Sequence, residues 1–161
     1  MNIRPYTSTD QPQIVALFDD FQDYIVSLDP LKRLRRLDGY GQSYLEQTLQ
    51  KIEKNKGAFL VAEENGKIIG LVVGIIKTHE GEELLEAIPS TFGEVIELYV
   101  VLDERSNGLG SELLSVIEKY FKDQHCDAVF IEVFAPNERA KKFYERHGYG
   151  VRDYFLAKKI N

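Results

Sequence analysis

One stretch of the chain has residue types and spacing that suit ligand chemistry. In "VIELYVVLDERSNGLGSELL", Val95 to Leu114, a run of β-type residues passes through an acidic patch and one arginine into two glycines and then a helix. A helix N-terminus leaves about four backbone N–H groups without partners, and its dipole favours negative charge. Glycines at such a junction let a phosphate come close to those amides. Arg105 adds a fixed cation with a fork of donors suited to phosphate. The same two glycines also suit a tight turn and nothing more, and spacing alone leaves both readings open. A P-loop is excluded, because no lysine follows the glycines. The dinucleotide fingerprint finds only Gly108 and Gly110, with Leu113 in the third glycine position.

Other reactive side chains are sparser. Glu94 and Glu97 fall in the β-type run, and strand alternation puts Glu97 on the side of Tyr99, with Ile96 and Leu98 on the other. A carboxylate in an otherwise apolar strand needs a reason, because burying it costs free energy. It either faces solvent, orients a ligand or takes a proton. Cys126 sits at a helix-to-strand junction, where a small buried hydrophobe is the simplest reading. His79, His125 and His147 have no metal-ligand spacing, and His79-Glu80 lacks the second histidine of a HExxH site, so no metal is expected.

The elements that must position these residues read as follows. "NIRPY" is a short strand that Pro5 confines to an edge or an end. Ser8 or Thr9 is the candidate N-cap of a first helix, in which Ile14, Leu17, Phe18, Phe21 and Ile25 recur at helical spacing. A second helix runs over 42–54 with Tyr44, Leu45, Leu49 and Ile52 on its apolar face. "GAFLVAEENGKIIGLVVGIIK" is a hairpin turning at Asn65-Gly66, and Gly70 and Gly74 mark a bulge or a close backbone approach. "THEGEELLEAIPST" is a loop or short helix, and "FGEVIELYVVL" is the next strand. A helix follows, with Leu109, Leu113, Val116, Ile117, Tyr120 and Phe121 on one face. Then come the strand "DAVFIEVFA", the helix "PNERAKKFYERHG", opened near Pro136 or Asn137 and stopped by Gly148, and a closing strand "DYFLAKKI". The order β-α-α-β-β-β-α-β-α-β predicts an α/β (α+β) domain with a central sheet. The unit from Val95 to Phe134 should be a right-handed parallel crossover.

"RSNGLGSELL" after "ELYVVLDE" resembles the acyl-CoA signature of the GNAT superfamily of N-acetyltransferases, which Arg105-x-x-Gly108-x-Gly110 matches. "APNERAKKFYERHGY" is similar to the family's second signature, through Asn137, Ala140, Phe143, Tyr144 and Gly148-Tyr149. The element order is also the family's, so the resemblance covers nearly the whole chain. The family often has proline where Asp103 stands and glycine where Ser106 stands. The resemblance implies a mixed, mostly antiparallel sheet with splayed central parallel strands flanked by helices. Acetyl-CoA would lie between strands 95–101 and 128–134. Its pantetheine arm would pair with the backbone of Leu98, Tyr99 and Val100, as a ligand adding a strand. Its pyrophosphate would rest on the loop from Ser106 through Asn107, Gly108, Leu109 and Gly110 to Ser111, beside Arg105. Asn137 would hydrogen-bond the arm. Tyr144 matches the family's general acid, although an aromatic capping the core is the alternative among nine tyrosines. Glu97 is the expected base, with Glu132 behind it. The acceptor would be a small-molecule or peptide amine. A non-catalytic acyl-CoA-binding module on the same fold is the competing reading, since a fold does not fix a function.

Composition sets the frame. The 161 residues suit one domain over 1–161, with no linker, repeat or low-complexity tract. The formal net charge of -6 argues against nonspecific nucleic-acid binding. The one basic cluster, "LKRLRRL", reads as a solvated face or a contact for an acidic partner. One cysteine, no apolar leader and no run near the ~20 residues that span a bilayer give the expectation of a soluble, cytoplasmic protein. The resemblance also allows a homodimer.

Overall fold

A computed structural model describes residues 1–160. Its centre is a five-stranded sheet in the order β1 (Asn2–Pro5), β2 (Ala58–Glu64), β3 (Lys67–Thr78), β4 (Thr91–Val100), β5 (Ala128–Ile131). Neighbours are antiparallel as far as β4, and β4 pairs parallel with β5. Two helices, α1 (Gln11–Leu28) and α2 (Tyr40–Lys54), cover one face. There Ile14, Phe18 and Leu45 pack on Val61, Leu71 and Val73. The helix α3 (Leu109–Asp123) covers the other face, where Leu113, Ile117 and Phe121 pack on Ile69, Val72 and Val95. The last helix, α4 (Glu138–Arg146), brings Phe143 and Tyr144 against that second cluster.

Local sequence explains most of these elements. The hairpin turns at Asn65 (φ 51) and Gly66 (φ 78), the positive dihedrals that the Asn-Gly pair was expected to supply. Asn137 caps α4 by accepting the N–H of Ala140, and Gly148 stops the helix at φ 87. At the first helix, Thr7 rather than Ser8 or Thr9 forms the capping box, with Asp10 closing it, because a short 3-10 turn over Ser8–Asp10 precedes α1. Arg4 then bridges Asp10 and Glu63 and ties β1 to β2 and to the start of α1. Its guanidinium holds the Asp10 carboxyl at about 2.

The bounds of three elements also need correction. The second helix starts at Tyr40, two residues earlier than 42, behind Gly39 at φ 82. The strand expected over 127–135 pairs only over Ala128–Ile131. The closing strand "DYFLAKKI" does not form: residues 151–160 have no regular structure and lie exposed. Its residue pattern suits a strand, but no neighbouring strand of this chain lies against it.

Gly74 sits where the β3–β4 register shifts, so the bulge and the close approach are both realised. Val73 faces Glu97 and Gly74 faces Val95, which leaves Ile96 as an extra residue in β4. Ile96 therefore packs with the α1–α2 cluster beside Tyr99, while Leu98 packs with the α3 cluster. The expected alternation put Ile96 and Leu98 on one side; the bulge separates them. On the α3 face, the ring of Phe121 lies over Gly74 and Gly93. A Cβ at either glycine would fall 2.4 Å from that ring. Gly93→Ala should therefore destabilise the fold by about 1–3 kcal/mol, read from the shift of a chemical denaturation midpoint.

Candidate active site

The site opens where the two parallel strands part. β5 pairs with Phe92 to Val95 of β4 and stops, so β4 continues through Leu98 and Val100 with no described strand beyond its outer edge. The N–H of Val101 bonds to the carbonyl of Ile69. Antiparallel alternation from that bond turns the backbone of Tyr99 toward β3 and the backbone groups of Leu98 and Val100 outward. Tyr99 lines the cleft from the α1 face, and its two neighbours turn their backbone outward, where the carbonyl of Val100 accepts from Arg105.

The resulting cleft holds about 370 Å³ and runs from β4 to the start of α3 and along α4. Arg105, Ser106, Gly108, Gly110 and Ser111 line it from the loop, and Asn137 and Tyr144 from the far wall. Leu109 is buried among the core residues and Asn107 does not line the cleft; either can contribute only backbone. Ser111 and Glu112 direct their N–H groups to the carbonyl of Gly108, and no side chain caps the helix. The amides of Leu109 and Gly110 are left without a partner among the described residues, the arrangement that attracts an anion. Arg105, Arg139 and Arg146 all reach this cleft, in a protein of net charge -6. The last two carry no motif signature; only their two-turn spacing along α4 hints that they share its cleft face.

Arg105 is held in place before any ligand arrives. Its Nε donates to the carbonyl of Val100 at 2.8 Å, and its guanidinium lies 5.5 Å from the Tyr24 ring and 5.4 Å from the Tyr99 ring. Tyr24, from α1, also donates its hydroxyl to Asn137 at 3.3 Å, so Asn137 Oδ1 serves both as helix cap and as anchor, while its amide group has no partner among the described residues. His147 ties the two helices that flank the loop. Its Nδ1 bonds to the carbonyl of Phe143 at 2.8 Å and its Nε2 to the hydroxyl of Ser111 at 3.0 Å.

Ser106 occupies the left-handed region at φ 70, where a side chain is strained. Its hydroxyl accepts a 3.3 Å contact from Arg139. Ser106→Gly should relieve that strain and raise stability by about 1 kcal/mol, visible as a higher Tm.

Tyr144 lines the cleft half-buried, with its ring against Phe143 and Tyr149 at 5.1 and 5.6 Å. Its hydroxyl makes no hydrogen bond among the described residues and is free to donate to a ligand. Burial, with a smaller push from the charge of Glu97, raises its pKa, so it keeps its proton.

Glu97 lies beside the cleft rather than in it. It is 5% exposed, lines no part of the opening, and accepts a short hydrogen bond from the hydroxyl of Tyr44. Burial pushes its carboxyl up to about 7, while the Tyr44 hydrogen bond and Lys51 pull the other way. Tyr44 is raised in turn, first by burial and then by that carboxylate. Tyr40 stacks on Tyr44 at 5.4 Å and is pushed up to about 12 by burial and by Glu97. Glu132 stands exposed past the end of β5.

The remaining candidates have structural partners or none. Burial raises the Cys126 thiol, the opposite of an activated nucleophile. In the basic cluster Arg36 pairs with Asp23, and the buried Asp29 carboxylate collects the N–H groups of Leu31, Arg33 and Leu34. Among the described residues no three of His, Cys, Asp and Glu gather where a metal ion could be held. No described helix is long and apolar enough to cross a membrane.

A parted strand pair, bare amides at a helix start and a gathering of arginines form a cleft suited to an extended ligand that carries an anionic group. Residues 16–149 match the acetyltransferase (GNAT) family. N-alpha-acetyltransferase 60 of Xenopus tropicalis is 30% identical over 79% of this chain, and that of Danio rerio 28% over 91%. The chain spans 57% and 66% of the length of those two relatives. Among solved structures, a mutant of protein BH1408 from Bacillus halodurans superposes with a TM-score of 0.87 at 21% identity, covering both chains fully. A predicted acetyltransferase from Clostridium acetobutylicum, solved with acetyl-CoA, gives 0.73 at 16% identity over 98% of this chain and 95% of its own. The chain belongs to the acetyltransferase (GNAT) family.

Proposed function

We propose that this protein transfers an acetyl group from acetyl-CoA to a primary amine by direct attack in a ternary complex. The observation that carries this reading is the outward backbone of Leu98 and Val100, running into the uncapped start of α3. An extended pantetheine arm can add to that edge as a strand, and a pyrophosphate can meet the amides of Leu109 and Gly110 with Arg105, Arg139 and Arg146 around it. The chemistry then has three demands. An alkylammonium, with a pKa of about 10, must lose a proton before its nitrogen can attack. The thioester oxygen becomes an oxyanion, for which the N–H of Leu98 or Val100 is the available donor. As the C–N bond forms and the C–S bond breaks, the departing thiolate takes the proton of Tyr144.

Glu97 is the base in this scheme, and its burial makes it an indirect one. The proton reaches it through water or through a tyrosine hydroxyl. The names of the vertebrate relatives favour the N-terminal amine of a protein as acceptor. The test is a screen of peptides with free N-termini, polyamines and aminoglycosides with acetyl-CoA, reading released thiol. Initial-rate lines should intersect, as a ternary complex requires. Parallel lines would refute direct attack, and tighter binding of ATP or NAD than of CoA would refute the donor.

A further inference from the structure

We infer that a second groove, beneath the C-terminal half of α2, receives the acceptor and selects one that carries carboxylates close to its amine, such as a peptide whose residues next to the N-terminus are acidic; this deepens the acetyl transfer proposed above and rests on it. The groove holds about 480 Å³ and lies between α2 and the far ends of β3 and β4. It and the cleft flank Glu97. Ile96 lines the groove and Leu98 lines the cleft, while Glu97 between them lines neither and reaches the hydroxyl of Tyr44 on α2. Ile96 and Leu98 stand about 7 Å apart along the strand. A donor in the cleft and an acceptor in the groove would therefore approach one carboxyl from opposite directions along β4.

The groove is basic in a protein of net charge -6. Gln47, Gln50, Lys51 and Lys54 recur at helical spacing and turn one polar stripe of α2 into it. Lysines in the last turn of a helix suit its dipole, and a glutamate four residues earlier is their favoured helical partner. Here those earlier positions are Gln47 and Gln50. Among the described residues neither Lys51 nor Lys54 has a carboxylate within ion-pair distance. Lys77, from β3, pairs with Glu94, so the one carboxylate that lines the groove is already neutralised. Lys51 is also near enough to Glu97 for its charge to oppose the upward push of burial on that carboxyl. An amine held at Glu97 would lay the next residues of an extended chain, at about 3.3 Å each, alongside Lys51 and Lys54. Acidic side chains there would find partners, and basic ones would meet like charge.

The test uses the full chain, acetyl-CoA and peptides with free N-termini that differ only in carrying aspartates or lysines at their second to fourth residues, with released thiol as the readout. The acidic peptide should have a kcat/KM about tenfold or more above the basic one, carried by KM, and the ratio should shrink as salt is raised. Lys54→Glu should cut that ratio roughly threefold or more, and Lys54→Gln, which only removes the charge, should cut it less. Lys54 is exposed and lines the groove but not the cleft, so circular dichroism and a calorimetric CoA titration should both be unchanged. Equal kcat/KM for the two peptides, or faster transfer to the basic one, overturns the inference and leaves the acetyl transfer standing. So does a preference that Lys54→Glu does not alter. No thiol release with any amine defeats the transfer and the inference together.

Discussion

Tyr144→Phe should keep CoA affinity and lose about 10²–10⁴-fold in kcat. The ring alone supplies the packing against Phe143 and Tyr149, so the cleft wall survives the change. Only the hydroxyl is removed, and no other described residue depends on it for a hydrogen bond. Its raised pKa is what the role requires. A phenol that ionised easily would have no proton for the thiolate, and burial prevents that. The measurement pairs steady-state turnover with a calorimetric CoA titration. Unchanged turnover would remove Tyr144 from the chemistry and return it to the core. Lost turnover with lost CoA binding would show that the cleft had collapsed.

Glu97→Gln should have two effects of opposite sign. Activity should fall by about 10²-fold or more, and the rise of kcat/KM through neutral pH should disappear, because in the proposed reaction the carboxyl near 7 is the group that must ionise. Stability should improve at alkaline pH. Below about 4.5 the carboxyl is protonated in both folded and unfolded chains and costs nothing. As pH climbs through about 7 the folded chain must hold a charge that burial disfavours, and that stability is lost. Glutamine removes the loss, about 3 kcal/mol above neutrality, and can still accept the Tyr44 hydroxyl. Thermal melts at acid and alkaline pH check this: the variant's advantage should appear only at the alkaline end.

The parts of this fold that were legible in the sequence are those governed by neighbours along the chain. Asn65-Gly66 specifies its turn by two dihedrals, Gly148 stops a helix by one, and the stripe from Leu109 to Phe121 declares a helix by period. The loop glycines were legible for the same reason. What stayed hidden depends on partners far away in sequence. Tyr44 meets Glu97 across 53 residues, and Tyr24 meets Asn137 across 113; neither tyrosine carries a local signal. The bulge was invisible because Val95 and Ile96 are both apolar, so the alternation gives no sign that it slips. The segment 151–160 has a strand's composition, and composition does not say whether a strand lies ready to pair with it.

The bulge has a consequence for insertions and deletions. Ile96 is the one residue of β4 without an opposite number on β3. Deleting it would leave Val95 and Glu97 facing Gly74 and Val73 as they do now, so the β3–β4 ladder would survive and become regular. The lost bend is what matters, because a bulge turns its strand away from the neighbour. A straightened β4 would meet Glu132, Val133 and Phe134 beyond the present end of β5, and the two strands could zip onward past Leu98. The sheet would gain hydrogen bonds and the cleft would close. The extra residue stands directly after Val95, the last residue of β4 that pairs with β5.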